Sequence, residues 1–254
     1  MSPSAAQPAV SWPYPRIVAH RGGGKRAPEN TLAAIRLGAA MGFRGVEFDV
    51  MLAACGTPVL IHDETLKRTT NGRGEVARTP YRELARLDAG GWHSRRFRGE
   101  PIPRLDEAAR LCREMDLWAN VEIKPAAGYE RRTGEAVARA TQDLWRGAAL
   151  PPLLSSFSPV ALAAARHSAP ELPRGLLVGR IPPHWRELMQ DLGCVALHCN
   201  YRALNKRLAA QIHDAGYAIV AWTVNDRRSA HKLLGWGADC LVTDALERLG
   251  PGFQ

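Results

Sequence analysis

Apolar and polar positions divide the chain into short apolar runs separated by amphipathic stretches, from about residue 16 almost to the end. The runs fall at 17–20, 45–50, 58–62, 118–124, 153–157, 175–179, 194–199, 218–224 and 240–243. Near-continuous apolar strands joined by helices are the pattern of a parallel sheet covered on its outer face. The intervening stretches carry helix signals. Leu204, Leu208 and Ile212 repeat at helical spacing, and Gly216 follows as a stop. Ser158-Pro159 reads as an N-cap with proline at the first helical position. Leu105, Ala109, Cys112 and Met115 form another stripe, and Asp226 is placed to cap a helix carrying Leu233 and Leu234.

Nine runs are one more than a (β/α)₈ barrel needs. About seven residues separate Val50 from Pro58, whereas a parallel crossover needs at least about ten to twelve. The run at 58–62 is therefore expected to pair antiparallel with an extension of the second strand, turning near Cys55-Gly56. Eight parallel strands then remain, and the expected fold class is α/β, a single TIM barrel over residues 16–254. The stretch 64–104 is rich in Gly and Arg, with one weak helical pattern over 80–87. It is expected as an insertion over one end of the barrel. Residues 1–15 carry four prolines and are expected as a flexible arm.

A length of 254 residues suits one complete barrel. The contents of 46% hydrophobic and 23% charged residues are those of an ordinary globular protein. A formal charge of +9 favours anionic partners. No block of five or six like charges appears, so a small phosphorylated molecule is expected rather than nucleic acid. The five cysteines are odd in number and show no CxxC pair. Cys194 and Cys240 sit in apolar segments as buried hydrophobes, which suits a reducing cytoplasm. The N-terminal stretch lacks an apolar signal core, and no run of eighteen apolar residues follows. Neither export nor stable membrane association is expected.

Polar residues on apolar strands carry the chemistry. In Val46-Glu47-Phe48-Asp49-Val50 alternation puts both carboxylates on one face, and in Val121-Glu122-Ile123-Lys124 it groups Glu122 with Lys124. Inward carboxylates repel one another unless a cation lies among them. A hard divalent cation on carboxylate oxygens, Mg²⁺ or Ca²⁺ rather than zinc, resolves this; an internal ion-pair network with Lys124 and Arg21 is the alternative. His20 ends the first strand before Arg21-Gly22-Gly23-Gly24, and His62 ends the hairpin strand before Asp63. Both belong at the C-terminal ends of barrel strands, where active sites of this fold are built. Paired imidazoles can supply an acid and a base, and Arg21 offers a planar fork for phosphate oxygens.

These residues, with Pro28-Glu29-Asn30-Thr31, Val59-Leu60-Ile61-His62-Asp63, Thr69-Thr70-Asn71-Gly72, Ser156-Phe157, Trp222-Thr223-Val224-Asn225, Gly237-Ala238-Asp239 and Thr243-Asp244, resemble the glycerophosphodiester phosphodiesterase family over about residues 16 to 248. The resemblance implies a barrel enzyme with one divalent metal that hydrolyses deacylated phospholipids to glycerol 3-phosphate and an alcohol. It implies metal carboxylates at Glu47, Asp49 and Glu122, and catalytic histidines at His20 and His62. It implies substrate contacts at Arg21 and Lys124, with Trp222 and Phe157 walling the glycerol end, although barrel packing is an equal account of Phe157. It leaves open whether water or a substrate hydroxyl attacks, which histidine is the acid, and whether the chain is a monomer or a homodimer. Where the family has an Asp-Gly turn, this chain has Ala53-Ala54-Cys55-Gly56, which retains the glycine. The rival readings are a barrel phosphodiesterase for intact lipids, for which residues 92–97 are a weak membrane contact, and a non-catalytic headgroup-binding barrel.

Overall fold

Among the described residues nine strands form: β1 (Ile17–Ala19), β2 (Gly45–Leu52), β3 (Pro58–Leu60), β4 (Trp118–Ile123), β5 (Leu153–Ser156), β6 (Arg174–Val178), β7 (Ala196–Asn200), β8 (Ala218–Trp222) and β9 (Cys240–Thr243). They come from a computed structural model that describes residues 12–254. Neighbours run β1-β9-β8-β7-β6-β5-β4-β2, and β1 also pairs with β2 at Ala19 and Val46. The sheet thus closes into a barrel of eight parallel strands. The ninth strand, β3, pairs antiparallel with the far end of β2, Leu52 opposite Pro58. Its turn needs Gly56, which has φ 82° and donates its N–H to the Ala53 carbonyl at 2.8 Å.

Helices fill the crossovers: α1 (Leu32–Ala40), α2 (Tyr81–Leu84), α3 (Leu105–Glu114), α4 (Glu130–Leu144), α5 (Pro159–Ser168), α6 (Trp185–Leu192), α7 (Lys206–Asp214) and α8 (Arg227–Gly235). Ser158 caps α5 by accepting Ala161 N–H at 3.2 Å, and Asp226 caps α8 by accepting Ser229 N–H at 2.8 Å. Several expected boundaries shift by one to a few residues, two of them at the starts of elements. Leu204 precedes α7 because Asn205 caps it, accepting Leu208 N–H at 3.0 Å. The run at 194–199 becomes strand only at Ala196, after an exposed Val195.

Alternation divides the core into two layers. Along β8, Ile219 and Ala221 join the outer cluster under the helices, while Ala218 and Val220 join the inner one with Val18, Trp118, Leu153, Ala196 and Val242. The inner layer plugs the lower barrel, and the cavity that holds the polar strand residues opens at the C-terminal ends of the strands. Residues 61–104 pack their own cluster, including Ile61, Leu66, Val76, Leu84 and Ile102, against Met51 and Val59 of the hairpin. Glu100 in that connection accepts Ala33 N–H at 2.9 Å, tying it to the start of α1. Of the expected arm, residues 1–11 lie outside the described residues; Tyr14 stacks on Trp118 with ring centroids 4.5 Å apart.

Candidate active site

Strand register assembles the carboxylates. On β2, Val46, Phe48 and Val50 pack outward, which turns Glu47 and Asp49 inward. Asp49 lies in register with Glu122 of β4. One oxygen from each of Glu47, Asp49 and Glu122 lies within 4.8 Å of the others, and all three residues are buried. Burial pushes Glu47 up to about 7, the charge of Asp49 adding to it against that of His20. Burial and the Asp49 charge likewise raise Glu122 well above the usual carboxylate range. Burial also opposes ionisation of Asp49, but the charges of Arg21 and Lys124 outweigh it and hold its pKa low.

Both cations of the ion-pair alternative are present. Arg21 Nε lies 3.4 Å from Asp49, and Lys124 Nζ lies 3.5 Å from Asp49 and 3.3 Å from Glu122. They do not saturate the cluster. Lys124 meets Glu122 Oε1 as a 3.3 Å ion pair without hydrogen-bond geometry, and two of the three carboxyls are still biased towards the protonated form. Such a convergent all-oxygen donor set fits a hard divalent cation.

The histidines lie just beyond their strands, each gripped by a carboxylate. His20 Nδ1 is 2.6 Å from Asp244 Oδ1, and its Nε2 is 3.8 Å from Glu47. Asn225 steadies Asp244, its Oδ1 accepting the Asp244 N–H at 2.8 Å. Burial lowers the pKa of His20, but the Asp244 hydrogen bond and the Glu47 charge outweigh it, so the net direction is up. His62 Nδ1 is 2.7 Å from Asp63, and its Nε2 is 2.6 Å from Lys124 Nζ. An ammonium only donates, so Nε2 faces it with its lone pair and the ring proton points to Asp63. Burial lowers the pKa of His62 and the Arg21 charge reinforces it, prevailing over the Asp49 charge.

Arg21 has φ 51° and donates its backbone N–H to Glu47 at 3.0 Å and its Nη1 to Glu29 at 2.5 Å. Gly22 is required beside it: at φ 86° an added Cβ would lie 2.9 Å from Ile35 N. Phe157 and Trp222 meet edge to face, centroids 5.5 Å apart at 82°. Phe157 is 45% exposed, so it lies at a rim and is not barrel packing. All nine sequence-predicted residues except Asp49 line one cavity of about 300 Å³, and Asp49 lies directly behind Glu47 and Glu122. Sequence reasoning assigned no role to Asp63, Asp244, Asn225, Asn30, Glu29 or Arg68, nor to His198 and Leu177 on the cavity wall. Asp63 and Asp244 carried a positional signal, as polar residues directly after an apolar run, and Glu29, Asn30 and Asn225 stood only within the segments of family resemblance.

The sequence profile of the glycerophosphoryl diester phosphodiesterase family matches residues 20–248. The chain belongs to that family. A glycerophosphodiester phosphodiesterase of Caldanaerobacter subterraneus is 33% identical over 92% of this chain and 95% of its own length. Among solved structures, a phosphodiesterase of Oleispira antarctica in complex with the product sn-glycerol 3-phosphate superposes with TM-score 0.87 at 38% identity, covering 91% of this chain and 94% of that one. The Agrobacterium tumefaciens glycerophosphodiester phosphodiesterase gives TM-score 0.75 at 28% identity, covering 91% and 96%. Like other members of this family of phosphodiesterases, the chain is an enzyme. Among the described residues no helix is long and apolar enough to cross a membrane.

Proposed function

We propose that this site hydrolyses glycerophosphodiesters of small headgroups, such as choline, ethanolamine and glycerol, to glycerol 3-phosphate and an alcohol. The carrying observation is that two carboxylate-gripped histidines reach one cavity beside three converging buried carboxylates. Glu47, Asp49 and Glu122 hold one divalent cation, Mg²⁺ or Ca²⁺, which when bound polarises the phosphoryl group and offsets its developing charge. Arg21 takes non-bridging phosphate oxygens with its fork, and Lys124 turns its ammonium from His62 to the same phosphate.

The two histidines divide the proton work by their hydrogen bonds. His62, with its Nε2 lone pair free once Lys124 turns away, receives the proton of the nucleophile, either water directly or the substrate's glycerol hydroxyl with water then opening the cyclic phosphate, and Asp63 steadies the resulting imidazolium. His20, held by Asp244 and facing Glu47, keeps its proton and gives it to the departing alcohol. Phe157 and Trp222 wall the glycerol end. The site is assembled within one chain, so the reading suits a monomer or a homodimer. The five free cysteines, four of them buried, suit the cytoplasm.

The lipid rival has one exposed ring in the 92–97 stretch, Trp92, whose ring N–H is held by the Ala89 carbonyl at 2.8 Å, and the assay below separates the two readings. The test is a product assay on glycerophosphocholine with Mg²⁺, Ca²⁺ or EDTA. Glycerol 3-phosphate should appear with the cations and vanish with the chelator. Full turnover in excess EDTA, or faster cleavage of micellar phospholipid, would overturn the reading.

A further inference from the structure

Arg68 lies outside the cavity wall, on the connection that follows β3, and the reaction above does not call on it. Its guanidinium nevertheless makes four hydrogen bonds, all to two carboxylates. Nε and Nη2 donate to Asp63 at 2.6 and 2.9 Å, while Nη1 and Nη2 donate to Glu29 at 2.7 and 2.8 Å. Each carboxylate has its other partner in the cavity. Asp63 Oδ1 meets His62 Nδ1 at 2.7 Å, and Glu29 Oε1 accepts from Arg21 Nη1 at 2.5 Å. One guanidinium therefore lies a single carboxylate away from both a histidine and an arginine of the site.

We propose that Arg68 is a positioning residue that fixes His62 and Arg21 relative to each other. The inference rests on the roles given above to those two residues. Without the fork between them, Asp63 and Glu29 would be neighbouring anions that repel. Each would be free to rotate off its cavity partner, and His62 would lose the acceptor that selects its tautomer. Only a guanidinium presents two bidentate edges in one rigid plane; an ammonium keeps the charge and loses the geometry.

The anchorage of Arg68 supports the role. Its side chain is 43% exposed, but Leu66, Thr69 and Thr70 around it are buried, and Thr70 Oγ1 donates to the Leu66 carbonyl at 2.6 Å. A fixed backbone thus presents a surface side chain in one orientation. Exposed ion pairs contribute little to stability, whereas misplacing a reacting group by about 1 Å can cost about a hundredfold in rate. The expected signature is therefore a loss of rate without a matching loss of stability.

The experiment compares Arg68→Ala, Arg68→Lys and His62→Ala with the parent enzyme on glycerophosphocholine, measuring kcat, KM and melting temperature. Arg68→Ala should lower kcat by about 10- to 100-fold and raise KM, with the melting temperature moved by only a few degrees. Arg68→Lys should not rescue the rate, and millimolar guanidinium should restore part of it to Arg68→Ala. Arg68→Ala and Asp63→Ala together should cost less than the product of their separate effects. If Arg68→Ala does not fold, Arg68→Lys carries the test. Parent-like kcat and KM in either variant, beside an impaired His62→Ala, overturn the inference alone. An unimpaired His62→Ala overturns the reading beneath it and the inference with it.

Discussion

His20 and His62 are the same side chain in opposite surroundings. His20 faces carboxylates on both ring nitrogens, Asp244 at 2.6 Å and Glu47 at 3.8 Å, so its charged form is favoured. His62 has a carboxylate on one side and an ammonium at 2.6 Å on the other, so its neutral form is favoured. General acid–base catalysis contributes about 10² to 10⁴ for each group. His20→Ala and His62→Ala should each lower kcat on glycerophosphocholine by that order. On a substrate releasing p-nitrophenol, which leaves without protonation, only the His20 variant should recover. Recovery of the His62 variant instead would exchange the two roles. The residues of this pair were legible because strand alternation and strand ends are local properties that the sequence displays. Their partners were less so: Asp63 follows His62 directly, but Glu29 and Arg68 join it through a loop and an insertion, and loop closure has no period to read.

At the scale of elements, the tightest crossing is that of α4 and α5, where Gly134 faces the backbone of Ala161. A Cβ at position 134 would lie 2.3 Å from the Ala161 carbonyl oxygen. Alanine is otherwise preferred over glycine inside a helix by about 1 kcal/mol, so the substitution sets propensity against packing. The obstacle is backbone rather than a movable side chain, and such overpacking costs typically about 1 to 3 kcal/mol. Gly134→Ala should therefore lower the melting temperature by several degrees while leaving kcat and KM unchanged. A raised melting temperature would show that the helices separate freely. The strands were legible throughout, because their apolar runs stand out, while α1, α4 and α6 were expected only as unassigned crossover helices. The antiparallel β3 followed from connection length alone, seven residues being too few to cross over. The boundaries were less legible: the start of α7 depends on Asn205 as cap, a choice that the apolar stripe beginning at Leu204 does not record. The packing of residues 61–104 into their own cluster was also unreadable, since apart from the weak helical pattern over 80–87 their apolar residues show no regular spacing.

At the scale of the whole molecule, the barrel holds an ionisable group that the reaction leaves unused. His198 on β7 is 1% exposed, its Nε2 has no partner, and the ring lies against Gly175. Burial lowers its pKa to about 3, against about 6.5 in an unfolded chain. Between those values the unfolded chain binds a proton that the folded one refuses, so this group makes stability fall as pH drops from about 6.5 towards 3. Other groups act at the same time. In the metal-free protein Glu47, raised to about 7, works in the opposite sense, because the folded state takes up its proton first as pH falls. Asp63, held low by its hydrogen bond from Arg68, contributes stability above about pH 4 that is lost in stronger acid. A direct pH profile of the enzyme mixes these with the other shifted histidines and carboxylates of the site. His198→Leu separates them, because it removes one titration and keeps the carboxylates. At pH 8 the variant and the parent should differ in melting temperature by a fixed offset set by packing. As pH falls to 6 and then to 4.5, the parent should lose several degrees relative to the variant. Thermal unfolding followed by circular dichroism across that range checks it. An offset that stays constant from pH 8 to 4.5 would mean that His198 keeps its ordinary pKa in the fold and that the barrel interior is open to water at that level.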